Sequence, residues 1–134
     1  MALNPHITVS LFHIFAVVPF FLYVAFVRGQ LPPWIFPIIL GLGLLIAVYH
    51  SYKTILKWKA HSLSAWVNIF HVVAVAPILI FIGAKSYDTP RWAFEILAML
   101  GFAALGYHLY SIVLELQDMG DKEKAVKKMM SEDH

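Results

Sequence analysis

The chain has 134 residues, of which 60% are hydrophobic and 13% are charged, and its formal net charge at pH 7 is +2. Soluble globular domains carry about 25% charged residues, so this composition excludes most soluble domains. The sequence contains no basic patch of the kind that would indicate nucleic-acid binding. The absence of cysteine excludes disulfides, iron–sulfur clusters and thiolate metal sites. The mean hydropathy of +0.74 therefore predicts an integral membrane protein.

Four apolar runs follow one another along the chain, and each has the length of about 20 residues that a membrane-spanning helix needs. We expect transmembrane helices over residues 7–27, 34–56, 63–83 and 92–114. Asn4 and Pro5 predict a capped start for the first helix. Arg91 and Glu95, four residues apart, predict an exposed ion pair at the start of the fourth.

The charged residues at the two ends of these helices predict the orientation. Residues 1–118 are expected to form a single transmembrane domain, followed by a polar C-terminal tail at 119–134 that is frayed helix or disordered. Seven basic residues lie on the side of the N-terminus (Lys53, Lys57, Lys59, Lys122, Lys124, Lys127 and Lys128), and three lie on the other side (Arg28, Lys85 and Arg91). The positive-inside rule then predicts a multi-pass protein with both termini in the cytoplasm.

The chain also overlays on itself, without a gap, at an offset of 58 residues. Residues 9–52 and 67–110 share 15 identities over 44 positions, including histidines, prolines and tryptophans that fall in register. We therefore predict two tandem two-helix repeats, at about 6–57 and 64–115. Both repeats would insert in the same sense, as parallel repeats do. The predicted fold is an all-α integral membrane four-helix bundle.

Each predicted helix carries one histidine at a similar depth: His13, His50, His71 and His108. At a rise of about 1.5 Å per residue, all four are expected roughly 10 Å inside the same face, because each antiparallel hairpin brings its two histidines to the same depth. Polar groups inside a membrane tend to mark functional sites. Small residues on the same faces, which would admit a planar cofactor, are Ala16, Ala74, Gly43 and Gly101. Residues placed to support the rings are Ser10, Asn68, Tyr49 and Tyr107.

Several chemistries suit such a layer of imidazoles. The histidines could be axial ligands of a b-type haem, ligands of a transition metal, or ligands of chlorophyll magnesium. Without a cofactor they could relay protons, because histidine titrates near neutrality. We expect a haem-binding or redox membrane protein, with a proton- or ion-conducting bundle and a purely structural membrane protein as alternatives. Whether the chain is an enzyme is left open.

The pattern H-x5-P, P-x-W and YH-x-Y occurs as His13–Pro19, Pro32–Trp34 and Tyr49–Tyr52, and again 58 residues later. It resembles small histidine-containing tandem-hairpin membrane proteins of large algal DNA viruses and marine plankton, whose function is unsettled. The plan is also similar to cytochrome b561-type four-helix bundles. Those bundles carry histidines near both membrane faces, whereas the four histidines of this chain are expected near one face. This difference argues against transmembrane electron transfer between two haems here. The expected partners are the lipid bilayer, a second copy of the chain and a redox partner, but not nucleic acid.

Overall fold

The structure is a computed structural model that describes residues 4–133, and these residues form four long helices. The helices are α1 (Pro5–Gln30), α2 (Ile35–Lys59), α3 (Ala65–Asp88) and α4 (Arg91–Glu132). Each is long and apolar enough to cross a membrane, so the expected all-α chain with four apolar helices is confirmed. Residues 1–3, within the predicted domain, and His134, within the predicted tail, lie outside the described residues.

Local chemistry fixes where helices begin and end. The side-chain oxygen of Asn4 accepts a hydrogen bond from the backbone N–H of His6 at 2.9 Å, which confirms the predicted cap at the start of α1. At the end of α2, the N–H of Ser62 donates to the carbonyl of Lys57 at 2.9 Å. His61 lies between them with a φ of 53°. This is the left-handed turn that commonly closes a helix.

Helix α4 continues through residues 119–132, where the sequence predicted a polar tail of frayed helix or disorder. Ion pairs between neighbouring turns accompany this extension: Asp118–Lys122, Asp121–Lys124, Glu123–Lys127 and Lys128–Glu132. The hydrogen bond to Asp118 and its negative charge raise the pKa of Lys122. Exposed pairs of this kind each stabilise a helix only slightly, and their repetition favours helix in an otherwise solvated segment.

The chain divides into two compact units, one of residues 21–100 and one that combines residues 4–20 with residues 101–133. The first unit has an apolar core to which all four helices contribute, with Val24, Ile39, Leu79, Ile82 and Leu97 fully buried. In the second unit, the side-chain amide nitrogen of Asn4 donates to the carboxylate of Glu115. This bond joins the start of α1 to the later part of α4.

Small residues bring α2 and α3 close together within the unit of residues 21–100. A β-carbon added at Gly83 would lie 2.7 Å from the Cα of Leu40, and one added at Gly43 would lie 2.9 Å from the backbone nitrogen of Ile80. Real β-carbons do not approach backbone atoms this closely. The two glycines therefore permit a helix crossing that any larger residue would push apart.

Candidate functional site: a stacked pair of histidines in each unit

The unit of residues 21–100 contains a stacked pair of imidazoles. His50 of α2 and His71 of α3 lie face to face, with ring centroids 4.1 Å apart and planes inclined by 12°. The Nδ1 atom of His50 lies 2.8 Å from the side-chain oxygen of Asn68, which is buried. The Nδ1 atom of His71 lies 2.6 Å from the carbonyl oxygen of Val67. Stacking and these hydrogen bonds help to fix the orientation of both rings.

The other unit contains an equivalent pair. His13 of α1 and His108 of α4 stack with centroids 4.2 Å apart and planes inclined by 21°. The Nδ1 atom of His13 lies 2.8 Å from the carbonyl oxygen of Val9, and that of His108 lies 3.2 Å from the hydroxyl oxygen of Ser10. His108 and Ser10 are 8% and 4% exposed, so this hydrogen bond is formed away from solvent.

A π-helical turn begins at one histidine of each pair. The turns are His13–Val17 in α1 and His71–Val75 in α3, and each ends two residues before a proline, Pro19 or Pro77. Proline lacks an N–H and crowds the carbonyl four residues earlier, so it disturbs the regular ladder of the preceding turn. The helix instead forms a wider turn, in which the N–H five residues along donates to the histidine carbonyl. Turns of this kind are frequent at functional sites.

The hydrogen bonds determine which ring nitrogen carries the proton in His13 and His71. A backbone carbonyl only accepts hydrogen bonds, so the Nδ1 atoms facing Val9 and Val67 must carry hydrogen. In a neutral ring, Nε2 is then the basic nitrogen. Histidines that bind metals are oriented in this way, and so are histidines that accept a proton at Nε2.

The structure shows which rings pair, which the matched depth of the four histidines left open. The structure stacks His13 with His108, and His50 with His71, so each stack takes one ring from each predicted repeat. Ser10 and Asn68 also bond rings on a neighbouring helix and not the histidines three residues later on their own helix. The reason is that those histidines turn back to the carbonyls of Val9 and Val67.

The other predicted site residues surround the rings in different ways. Tyr49 and Tyr107 lie edge-on to the adjacent His50 and His108, with centroids 5.1 and 5.2 Å apart. The contact of α3 with Gly43 fills the space beside that residue. The remaining small residues range from exposed to buried: Ala16 is exposed, Ala74 is half-buried and Gly101 is buried.

The stacked arrangement bears directly on haem ligation. An iron with two axial imidazoles lies in the plane of both rings, and the porphyrin separates them. Here the two rings of each pair lie face to face at van der Waals distance. The members of one stack therefore do not bracket a macrocycle as they stand. Among residues 4–133, no group of three or more histidine, aspartate or glutamate side chains converges as a metal site.

Comparison with known proteins assigns no family to this geometry. No protein-family model, curated protein or solved structure matches the chain. The site is therefore interpreted from its own chemistry. Sequence reasoning identified its four histidines, but it missed the stacking and the two π-helical turns. The one signal for those turns was the recurrence of proline six residues after histidine.

Proposed function

We propose that the chain is a multi-pass membrane protein built from two tandem hairpins, with both termini in the cytoplasm. The length and apolar character of the four helices support insertion. Local structure that recurs 58 residues apart supports the duplication. It includes the two π-helical turns and the 3-10 turns Arg28–Gln30 and Ser86–Asp88. The basic residues near the N-terminal side support the orientation.

We propose further that the stacked histidine pairs bind and release protons. The observation that carries this proposal is the face-to-face contact of the two rings, at 4.1 Å in one pair and 4.2 Å in the other. Histidine is the side chain whose charge ordinarily changes between about pH 5 and pH 8. Two unit charges 4 Å apart repel by about 4 kcal/mol at an effective dielectric constant of about 20. Each stack therefore accommodates one proton and separates when a second binds.

The surroundings favour proton exchange over the passage of hydrated ions. Asn68, in the first turns of α3, is a polar residue that lies beside His50. The core further along the same unit is apolar, and Asn68 is the one polar side chain buried among residues 21–100. Water and ions are poorly accommodated in such a core. Protons are thus exchanged with the side of the protein on which α2 ends and α3 begins.

Counting protons tests the proposal. Full-length protein in lipid nanodiscs is shifted from about pH 8 to about pH 5, and proton uptake is compared with that of a variant in which all four stacked histidines are replaced by phenylalanine. Phenylalanine keeps the aromatic contacts, and His6, His61 and His134 contribute equally to both proteins. We expect the natural chain to bind two more protons than the variant. A difference of zero, or of four, contradicts one shared proton per stack.

Ligation of a cofactor metal is the second candidate function. It is favoured by the Nδ1 hydrogen bonds of His13 and His71 to backbone carbonyls, which leave Nε2 as the basic nitrogen. A b-type haem, a transition metal or a chlorophyll would take one Nε2 from a stack, because the two members do not bracket a macrocycle. The test is the visible absorption spectrum of purified protein before and after reduction, together with metal analysis. A Soret band lost in His71→Phe supports ligation, whereas a spectrum without bands and the absence of bound metal contradict it.

A further inference from the structure

A groove with a volume of about 170 Å³ lies in the unit of residues 21–100, and no histidine is among the residues that line it. It is lined by residues of the 3-10 turns Arg28–Gln30 and Ser86–Asp88 and of the first turns of α2 and α4. Its volume is more than ten times the roughly 15 Å³ that one water molecule requires. The groove therefore has room for a group of several atoms.

Two arginines give the groove its charge. Arg28 donates from Nε to the carbonyl of Ala25 at 2.9 Å, which holds the guanidinium while its two terminal nitrogens remain as donors. Arg91 donates from Nε to Glu95 at 2.7 Å, in an exposed pair. Asp88 is exposed on the second turn and does not line the groove. Guanidinium groups bind phosphate oxygens through paired hydrogen bonds, so an oxyanion is the ligand that suits this charge.

The walls of the groove are held in place without a ligand. The hydroxyl of Tyr87 donates to the carbonyl of Leu31 at 2.7 Å, and its ring packs edge-on against Phe36 at 5.0 Å. Thr89 donates from its hydroxyl to the carbonyl of Ser86 at 2.6 Å. The contacts of Tyr87 tie the second 3-10 turn to Leu31 and to the first turn of α2, and the bond of Thr89 closes the turn itself. A site built in this way loses little entropy when a ligand binds.

Two residues that line the groove have a backbone conformation usually left to glycine. Arg28 has a φ of 52° and Ser86 has a φ of 53°, although Gly29 is the immediate neighbour of Arg28. Strained conformations of this kind tend to persist at ligand sites. Both residues thus line the groove from left-handed turns.

We infer that this groove binds the phosphate of an anionic phospholipid. The inference rests on the proposed membrane insertion but not on the histidines. Trp34 and Trp92, at the starts of α2 and α4, are exposed, and tryptophan is enriched at the level of lipid headgroups. Aromatic side chains, Phe36 and Phe94, lie in the same lining as the arginines. This combination of cationic and apolar groups suits a phosphodiester attached to a lipid better than a free phosphate ion.

Native mass spectrometry of the full-length protein in detergent micelles tests the inference. The protein is titrated with phosphatidylglycerol, with phosphatidylcholine and with inorganic phosphate. The variants are Arg28→Asn, since asparagine tolerates a positive φ, and Arg91→Gln. Lys85→Gln is the matched control, because Lys85 is an exposed cation at the same end of the protein and does not line the groove. Melting temperatures of all variants establish that they are folded.

We expect phosphatidylglycerol to bind more tightly than phosphatidylcholine, and each arginine variant to lose about tenfold in affinity. We expect Lys85→Gln to change the affinity by less than about twofold. An equal loss in Lys85→Gln would overturn the inference, because it would indicate nonspecific attraction to surface charge. Equal binding of the two lipids, or inorganic phosphate displacing the lipid at equal concentration, would overturn it as well. Failure of the protein to enter nanodiscs would instead contradict the proposed membrane insertion.

Discussion

His50 and His71 stack at 4.1 Å although 20 residues and the turn between α2 and α3 separate them in the chain. One ring is held by Asn68 and the other by the carbonyl of Val67, so a single stretch of α3 orients both. Each ring of the pair is therefore placed by backbone or buried side-chain chemistry, and not by chance contact in an apolar interior.

Replacing Asn68 by leucine removes the acceptor for the Nδ1 atom of His50. We expect a loss of about 1–3 kcal/mol in the free energy of unfolding, because a polar group in a poorly hydrated site loses its partner. The measurement is unfolding in mild detergent. The control is the double variant Asn68→Leu with His50→Phe, in which both partners are apolar, and which should recover much of the loss. Additive effects of the two substitutions would show that the hydrogen bond contributes nothing.

Deleting Val73 tests the π-helical turn. This turn holds one residue more than an α-helical turn, so a deletion there lets α3 close into regular helix while the segments on both sides keep their faces. Deleting Ile80 from the α-helical part of α3 rotates one side of the helix by about 100° instead. We expect the Val73 deletion to lower the melting temperature much less than the Ile80 deletion. Equal losses would indicate that the wide turn is not a local insertion.

The stability of the protein is expected to depend strongly on the size of the side chain at position 83. Its added β-carbon would lie 2.7 Å from the Cα of Leu40, and backbone atoms cannot move aside as a flexible side chain does. We expect Gly83→Ala to reduce the free energy of unfolding by about 1–3 kcal/mol. The control is Gly41→Ala, where an added β-carbon meets nothing within 4 Å and the better helix propensity of alanine should stabilise the chain. Equal effects at the two positions would contradict the close crossing of α2 and α3.

Ser86 offers a stabilising substitution. Its φ of 53° and ψ of −125° suit glycine better than any residue with a β-carbon. We expect Ser86→Gly to raise the free energy of unfolding by about 1 kcal/mol. Ala84→Gly, two residues earlier in the helix, should lower it by about 0.5–1 kcal/mol. If both substitutions destabilise the protein, the left-handed turn does not exist in solution.

The four helices could be predicted from the sequence because the features that indicate a helix are local in the chain. Apolar length predicted the four helices, and Asn4 with Pro5 predicted the cap that α1 has. Arg91 and Glu95 likewise form the predicted ion pair at 2.7 Å. For residues 119–134 the polar composition left frayed helix and disorder as alternatives, and the structure continues α4 as helix to Glu132.

The pairing of the histidines could not be predicted, because it depends on rotation about the helix axis. Ala16 was expected on the same face as His13, but Ala16 is exposed whereas the ring of His13 stacks on His108. The π-helical turn that begins at His13 adds a residue to the turn, which rotates the following positions by about 100° from a regular wheel. The depth of a residue along a helix follows from counting residues, whereas the face of the helix on which it lies depends on such turns and on contacts with other helices.

The most direct test of the paired histidines is nuclear magnetic resonance of protein labelled with nitrogen-15 in histidine and held in lipid nanodiscs. At about pH 8 we expect His50 and His71 to be neutral with hydrogen on Nδ1. On acidification toward about pH 5, we expect the signals of both rings to change together as one proton binds, and His71→Phe to alter the titration of His50. Hydrogen on Nε2 in the neutral rings, or a titration of His50 that His71→Phe leaves unchanged, would contradict the account.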